Sequence, residues 1–386
     1  MKINQWTLGL AAVGLVTLPS LVQAEEQSTP VLTALSATTI SGYVNTSMHW
    51  DLGTGNAHPP GYAFNAGKQD GFNLDVVKVA IAKPLDEAQW AAGYNVELLF
   101  GSDANALATQ SSFTPADVGI KQAYVTLRTP VGNGLDFKVG VFDTIIGYET
   151  FDAGSNPNYT RSYGYTIEPT THTGVLASYQ LNDMLSASVG IANTFGPTIN
   201  AKAHPPGGPK AESYKTYMGS VAFTAPESFG FLKGSTLYGG FINGFNSGAV
   251  KGATDQTCLY IGGTLATPIT NLKLGASYDY AAPDEPNEAY QNAVGLYLSF
   301  QATEKLSLHG RGEYASHSKG VVVDGFPSKV FEYTGTVQYD LWKNVLSRVE
   351  FRWDHSADGS QAFGGVTGAP TKKNALLIAA NLIYKF

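Results

Sequence analysis

The sequence predicts an all-β protein, an antiparallel transmembrane β-barrel of sixteen strands, with short turns at one end and long loops at the other. Three observations support this class. Segments of about ten to thirteen residues alternate between apolar and polar side chains, which is the period of a strand with two different faces. Short and long connections alternate along the chain, as they do in outer-membrane barrels. The final segment has one apolar face and ends on an aromatic residue.

The final segment, residues 374–386, predicts the strand that closes the barrel. Every second residue, counted back from the end, is apolar or aromatic: Phe386, Tyr384, Leu382, Ala380, Ile378 and Leu376. The positions between them are mixed in character, so only one face suits contact with lipid. Tyr384 and Phe386 resemble the terminal aromatic signal that the barrel assembly machinery reads. The alternative is an ordinary half-buried strand of a soluble protein.

The composition fits a sheet in lipid rather than a bundle of membrane helices. The chain has 43 Gly and 21 Tyr among 386 residues, and only 14% of its residues are charged. Beyond the N-terminal segment, the longest apolar run is about six residues, whereas a spanning helix needs about 20. The single Cys258 excludes an intrachain disulfide framework. The net charge of -7, without a basic run, argues against nucleic-acid binding.

Residues 1–24 have the pattern of a secretory signal peptide. Lys2 supplies the positive charge, an apolar stretch follows, and small residues form a cleavage site. We therefore predict a signal peptide at 1–24, a periplasmic lead-in at 25–39 and the transmembrane barrel at 40–386.

The alternating pattern predicts the positions of the strands. They are residues 40–50, 72–83, 90–100, 118–128, 135–141, 172–181, 185–191, 214–225, 235–245, 257–267, 272–280, 290–301, 306–316, 331–341, 348–354 and 374–386. Fourteen or eighteen strands are alternatives, because boundaries are the hardest feature to place. An even number puts both ends of the barrel wall on the periplasmic side.

The fifteenth strand has the sharpest alternation. Its apolar face holds Val349, Phe351 and Trp353, and its polar face holds Arg348, Glu350, Arg352 and Asp354. Burying four charged side chains in a dry core is costly. The strand therefore predicts a water-filled lumen on its polar side.

The sequence contains no recognisable catalytic or cofactor motif. GxSxG, HExxH and the P-loop pattern are all missing, so we predict no enzyme activity, no cofactor and no metal. His309 and His317 lie too far apart along a strand to share one metal ion. Asp354 and His355 are neighbours in a strand and should point to opposite faces, which argues against a catalytic dyad.

Several stretches together resemble a known family. They are ISGYVNTS at 40–47, KQAYV at 121–125, PVGNGLDFKVG at 130–140, GYE at 147–149, NPNYTRSY at 156–163 and HTG at 172–174. The chain resembles the putative β-barrel porin-2 (OmpL-like) family over nearly all of its predicted mature length, most specifically over residues 120–180. The resemblance implies a multi-pass barrel in the outer-membrane lipid of a Gram-negative-type bacterium. It also implies passage of small hydrophilic solutes, and it allows a homotrimer.

Three functions are open to such a barrel. The first is a water-filled channel for passive diffusion of ions and small hydrophilic solutes, which we predict. The second is an outer-membrane hydrolase, which needs a nucleophile or an acid/base pair at the rim. The third is a structural or adhesive barrel with a closed lumen. Ion conductance distinguishes the diffusion channel from the closed barrel, and a hydrolysis assay identifies the hydrolase.

The segment 143–171 predicts the constriction of the channel. Connections beyond about 15 residues are usually functional or disordered, and this one follows the fifth strand, where sixteen-stranded general porins fold a loop into the lumen. Its charged residues are Asp143, Glu149, Asp152, Arg161 and Glu168, and the inward-facing arginines of the wall are Arg311, Arg348 and Arg352. Opposed acidic and basic groups at a narrowing would create a transverse field that sets ion preference.

Two alternatives to this charged constriction remain. The same segment contains five aromatic residues that could form a sugar-stacking track: Tyr148, Phe151, Tyr159, Tyr163 and Tyr165. The segment could also pack outward, with its charges solvated.

Overall fold

Sixteen antiparallel strands form one closed barrel, in which each strand pairs with its sequence neighbours and the last strand pairs with the first. This computed structural model describes residues 37–53, 56–61, 66–107, 117–203, 211, 213–246, 254–283, 289–318 and 326–386. The predicted fold class and strand number are confirmed. The predicted signal peptide and nearly all of the predicted lead-in lie outside the described residues.

The strands agree with the predicted segments to within three residues at each boundary. They are β1 (Thr39–Asp51), β2 (Gly71–Lys83), β3 (Ala92–Phe100), β4 (Val118–Thr129), β5 (Leu135–Asp143), β6 (Thr171–Gln180), β7 (Leu185–Ala192), β8 (Thr216–Thr224), β9 (Thr236–Asn246), β10 (Thr254–Ala266), β11 (Leu272–Pro283), β12 (Gln291–Gln301), β13 (Leu306–His317), β14 (Lys329–Trp342), β15 (Val345–Ser356) and β16 (Asn374–Lys385).

The helical elements lie in the connections. The described part of the chain has two short α-helices, α1 (Ser102–Leu107) and α2 (Tyr163–Ile167), and 3-10 turns at Ala66–Lys68, Ala153–Ser155 and Glu227–Leu232. Within the described residues, no helix has the length and apolar character needed to cross a membrane.

Connection length distinguishes the two ends of the barrel. The connections at one end are short, such as residues 343–344 between β14 and β15, whereas β5 and β6 are joined at the other end by residues 144–170. In outer-membrane barrels the short turns are periplasmic. Tyr43 pairs with Lys385, so the first strand begins and the last strand ends at this periplasmic end.

The terminal residue continues the pairing that closes the barrel. The backbone N–H of Gly42 donates to the Phe386 carbonyl at 2.9 Å, and the Phe386 N–H donates back at 3.0 Å. Tyr384 and Phe386 are 50% and 42% exposed on the outer face. A β-carbon at Gly42 would lie 2.9 Å from the Phe386 ring, so glycine leaves room for the terminal aromatic side chain.

Exposure along β15 confirms the predicted inward and outward faces. Val349 and Phe351 are 58% and 48% exposed on the lipid side, while Arg352 and Asp354 are fully buried on the inner side. The expectation that these inward charges stand in open water is wrong. Residues 144–170, named the lumen loop below, pack over them and supply their hydrogen-bond partners.

Part of the inner wall is apolar, unlike the wall of a uniformly water-filled channel. Leu176, Met218 and Ile242 point inward from β6, β8 and β9 and are buried. They form one cluster with Ile145 and Ile146 at the start of the lumen loop. Burial of apolar area favours this contact by about 25 cal/mol per Å², so the wall provides a dry attachment for the base of the loop.

Candidate functional site

The lumen loop follows β5, and a backbone carbonyl near its start is bound by the barrel wall. The Tyr238 hydroxyl of β9 donates to the Gly147 carbonyl. Asn156 braces the loop from within, because its side-chain amide donates to the Thr150 carbonyl at 2.7 Å while its amide oxygen accepts the Thr150 N–H at 2.8 Å. The loop therefore has a defined shape before it reaches the opposite wall.

Two carboxylates of the opposite wall accept hydrogen bonds from the loop backbone. Glu350 of β15 accepts from the Tyr159 N–H at 2.6 Å, the Thr160 N–H at 2.9 Å and the Thr160 hydroxyl at 2.7 Å. Glu313 of β13 accepts the Tyr163 N–H at 2.9 Å, at the start of α2. Hydrogen bonds to charged groups contribute about 1.5–3 kcal/mol each, so these acids hold the tip of the loop.

Two arginines of β15 bind loop carbonyls in the opposite sense. Arg348 donates to the Ala153 carbonyl at 2.8 Å and to the Asn156 carbonyl at 2.6 Å. Arg352 donates to the Arg161 carbonyl at 2.6 Å. The planar guanidinium group offers donors in a fixed geometry, which suits two carbonyls at once.

Arg311 of β13 pairs with Glu149 of the loop at 2.7 Å, and both side chains are fully buried. Glu149 also accepts the Ser162 N–H at 2.8 Å, and Arg311 also donates to the Thr160 carbonyl at 2.9 Å. These two opposite charges are in contact, so they do not face each other across an aqueous opening. Arg311, Glu313, Arg348, Glu350 and Arg352 are called the clamp below.

Asp152 fastens the loop to the first two strands. The Lys78 ammonium lies 2.8 Å from its carboxylate, and the Tyr43 hydroxyl donates to it at 3.2 Å. Lys78 also pairs with Glu97 at 2.9 Å. Burial is the largest single influence and opposes ionisation of Asp152, but the charge and hydrogen bond of Lys78, the Lys121 charge and the Tyr43 hydrogen bond together hold the pKa of Asp152 below its usual value. Asp143, at the end of β5, pairs with Lys121.

Arg161 stabilises the loop internally. Its guanidinium donates to the Phe151 carbonyl at 2.7 Å and to the Tyr159 carbonyl at 3.1 Å, and it lies 5.6 Å from the centre of the Tyr165 ring. Of the five aromatic residues of the loop, four are at most 8% exposed: Phe151, Tyr159, Tyr163 and Tyr165. They pack the loop together, whereas Tyr148 borders an open space.

Glu168, near the end of the loop, lies against Asp279 of β11. Burial, the charge of Asp279 and a hydrogen bond between the two side chains raise the pKa of Glu168 well above its ordinary 4.5, with smaller contributions from Cys258 and Glu149. A raised pKa means that the docked loop favours protonated Glu168. Docking is therefore strongest at low pH and weakens as the pH rises from 4.5 through the raised value.

We expect a Glu168→Gln channel to lose this pH dependence, because the amide imitates the protonated carboxyl group. Wild-type channels should show more open-level fluctuation as the pH is raised from about 5 to about 9, and the variant should show a smaller increase over the same range. Single-channel recording across this range measures the difference. If the variant keeps the wild-type pH dependence, that dependence comes from another titratable group.

The structure brings together all eight charged residues predicted for the constriction, within one loop and its supporting wall. It adds the clamp acids Glu313 and Glu350, which the sequence analysis did not include as site residues. Glu313 and Glu350 could have been predicted from the sequence, because they occupy inward positions that alternate with Arg311, Arg348 and Arg352. Asp354 points inward and accepts the Tyr163 hydroxyl at 3.0 Å, whereas His355 contacts Asn374, so their predicted opposite directions are confirmed.

An open cavity lies on the periplasmic side of the loop. It has a volume of about 1690 Å³ and is bordered above by loop residues Tyr148, Thr150 and 154–157. Its wall comes from the strands β6 to β16, and its rim includes periplasmic turn residues such as Asp183 and Lys343. The loop therefore forms one boundary of this cavity.

A closed sixteen-stranded barrel with a lipid-compatible outer face and a loop fixed across a polar lumen defines an outer-membrane channel. The chain belongs to the family described as putative beta-barrel porin-2, OmpL-like, whose model matches residues 37–386. The predicted family, the outer-membrane location and the channel class are confirmed. No curated protein matches the sequence.

Solved structures of outer-membrane proteins share the fold at low sequence identity. The channel DcaP of Acinetobacter baumannii has a TM-score of 0.60 and 12% identity, covering 90% of this chain and 97% of that one. The anion-selective porin from Comamonas acidovorans has a TM-score of 0.57 and 15% identity, covering 90% and 99%. OmpT of Vibrio cholerae, in its in-vitro folded trimer form, has a TM-score of 0.55 and 14% identity, covering 90% and 99%.

Proposed function

We propose that this porin lets ions and small hydrophilic solutes diffuse passively across the outer membrane, and that the lumen loop sets the size limit. The observation that carries the proposal is the clamp, which fixes a loop of defined shape across the lumen by charge-assisted hydrogen bonds. The constriction residues are Asp143, Glu149, Asp152, Arg161 and Glu168 of the loop segment and Arg311, Arg348 and Arg352 of the wall.

Purified protein in planar bilayers tests this function. We expect stepwise ion conductance, and liposomes containing the protein should swell in solutions of small solutes but not of large ones. Absence of conductance in folded, inserted barrels would favour the structural or adhesive alternative.

The ion selectivity of the channel should change when a substitution removes one member of an ion pair, because the charge of the other member is then no longer neutralised. Glu149→Gln with Asp152→Asn leaves Arg311 and Lys78 without these acids, so the reversal potential in a salt gradient should shift toward anions. Arg348→Gln with Arg352→Gln removes two cations beside the clamp acids and should shift it toward cations. A matched control is Asp136→Asn, because Asp136 pairs with Arg128 beside the short β4–β5 turn. Reversal potentials unchanged in both double variants, in folded and conducting barrels, would contradict this account.

We infer that the channel works without catalysis. The support is that Asp354, the acid of the only dyad that the sequence analysis considered, is engaged by Arg352 at 2.8 Å and by the Tyr163 hydroxyl. Lipid and peptide substrates incubated with the purified barrel should stay intact. Hydrolysis that tracks the purified protein would overturn this inference.

We also propose a homotrimer in the outer membrane, with the terminal Tyr384 and Phe386 recognised by the barrel assembly machinery and residues 1–24 removed on export. The trimer form of the similar OmpT barrel supports the assembly. Mass measurement of the detergent-solubilised protein should give three copies, and an N-terminal sequence beginning at Glu25 would support cleavage.

A further inference from the structure

The periplasmic cavity has an aromatic roof that is held rigidly. Tyr148 of the loop stacks on Tyr297 of β12, with ring centres 3.9 Å apart and planes 18° from parallel, and both rings border the cavity. Tyr238 of β9 also borders the cavity and fixes the preceding residue through its hydrogen bond to the Gly147 carbonyl. Offset stacking adds to simple burial, so the buried Tyr297 holds Tyr148 in place, and the half-buried Tyr148 ring supplies the aromatic surface of the cavity.

The wall next to the Tyr148 ring carries a glycine, which leaves space for the ring. A β-carbon at Gly275 of β11 would lie only 1.9 Å from the Tyr148 hydroxyl oxygen. Any larger residue at this position would displace the ring from its stack. The aromatic roof is therefore a built feature of the lumen wall rather than a chance contact of a surface loop.

Neutral polar side chains line the wall next to the roof. His309 and Ser299 lie opposite each other on neighbouring strands, and their side chains hydrogen-bond at 2.9 Å. One step nearer the periplasm, the Ser307 hydroxyl donates to the Gln301 side chain at 2.8 Å. All four residues border the cavity. The His309 Nε2 atom is buried and has no hydrogen-bond partner among the described residues.

Charge does not dominate this part of the wall. The Arg348 guanidinium is occupied by the Gln338 side chain and by two loop carbonyls. Glu227 and Lys233 pair with each other at the rim. Lys273 lies opposite Ser299 in the strand register, and Lys305, Asp340 and Lys385 border the cavity near its periplasmic rim. Next to Tyr148, away from these charges at the rim, a solute would meet a ring, hydroxyls, amides and one imidazole.

We propose that this cavity is a binding subsite for neutral sugars, which rests on the proposed diffusion function and names its substrate class. The apolar C–H face of a sugar ring stacks on the half-buried Tyr148 ring, and its hydroxyls exchange hydrogen bonds with Gln301 and with Ser299, which His309 orients. The volume of about 1690 Å³ exceeds that of ordinary small-molecule pockets, which span about 300–1,000 Å³. The cavity can therefore hold a short oligosaccharide and still let it leave.

The test uses the full barrel in planar bilayers, with glucose and maltose as probes. We expect concentration-dependent reduction of the ion current in wild-type channels. Tyr148→Leu and His309→Leu should each weaken the apparent sugar affinity by about tenfold. Tyr148→Phe should keep it, because the stack survives, and His309→Gln should restore most of it. Tyr217→Leu is the matched control, since Tyr217 is 56% exposed on the outer face.

Calorimetric titration of the same detergent-solubilised proteins measures sugar binding without any current. Conducting wild-type channels whose current and heat do not respond to either sugar would overturn the subsite and leave the diffusion function standing. Sugar binding in a barrel without conductance would support the subsite and contradict the diffusion function. Tighter binding of gluconate or adenosine than of glucose would overturn the assignment to neutral sugars.

Discussion

Removal of Phe386, or its replacement by Asp, should eliminate most of the folded barrel from the outer membrane. Phe386 makes two backbone hydrogen bonds with Gly42 where the last strand meets the first. Its ring lies outward over a glycine that leaves room for it. Deletion removes both bonds and the aromatic side chain, and Asp puts a charge on the lipid side of the closing strand. Heat-modifiable migration on gels, together with the amount recovered in outer-membrane fractions, measures the loss.

Phe386→Tyr is the matched control, because it keeps an aromatic ring at the end of the strand, and it should assemble like the wild type. A second control is Lys385→Gln, which changes the neighbouring inward residue and leaves the aromatic end intact. A Phe386→Asp protein that reaches the outer membrane in normal amount and migrates as a folded barrel would show that the terminal aromatic residue is not the assembly signal.

Release of the lumen loop by Glu350→Gln should raise single-channel conductance severalfold. Glu350 accepts three hydrogen bonds from Tyr159 and Thr160, and the amide replaces a charged acceptor with a neutral group that carries donors of its own. Loss of about 3 kcal/mol of charge-assisted hydrogen bonding would shift the docking equilibrium about a hundredfold. The undocked loop would then be populated about a hundredfold more, and each undocking would enlarge the cross-section open to ions.

The control for this variant is Asp340→Asn, which removes one negative charge from the same wall within the periplasmic cavity. It should leave conductance near the wild-type value, which separates loss of the loop contact from loss of charge. Gel migration of both proteins before and after heating shows whether the barrel is intact. An intact Glu350→Gln barrel with wild-type conductance and wild-type open-level noise would mean that Glu350 does not hold the loop.

The strands could be predicted because their signal is local. A period of two along Val349, Phe351 and Trp353 is dictated by contact with lipid, and it stands out against the charged residues between them. The same alternation of apolar and polar residues predicted the closing strand at residues 374–386. Boundaries moved by up to three residues because strand ends depend on pairing with neighbours, which a single segment does not encode.

The partners of the lumen loop could not be predicted because they depend on contacts distant in sequence. Glu350 binds residues about 190 positions earlier in the chain, and no periodicity relates the two. The same pattern of alternating charges would fit an open, solvated wall or a wall covered by a loop. The open wall and the covered wall can be distinguished only in the closed barrel, because closure brings β13 and β15 next to the lumen loop.

A cross-link between loop and wall tests the central claim most directly, which is that the loop lies across the lumen of the working channel. The Asn158 side chain donates to the Thr336 hydroxyl at 2.7 Å, and both residues are buried. In a protein whose Cys258 is replaced by Ser, Asn158→Cys with Thr336→Cys should be bridged by a short bifunctional thiol reagent. We expect wild-type conductance after bridging, and in the Glu350→Gln background we expect the enlarged conductance to return to the wild-type value. Failure to bridge in conducting channels, or bridging that lowers conductance far below the wild-type value, would show that the loop leaves the lumen when the channel is open.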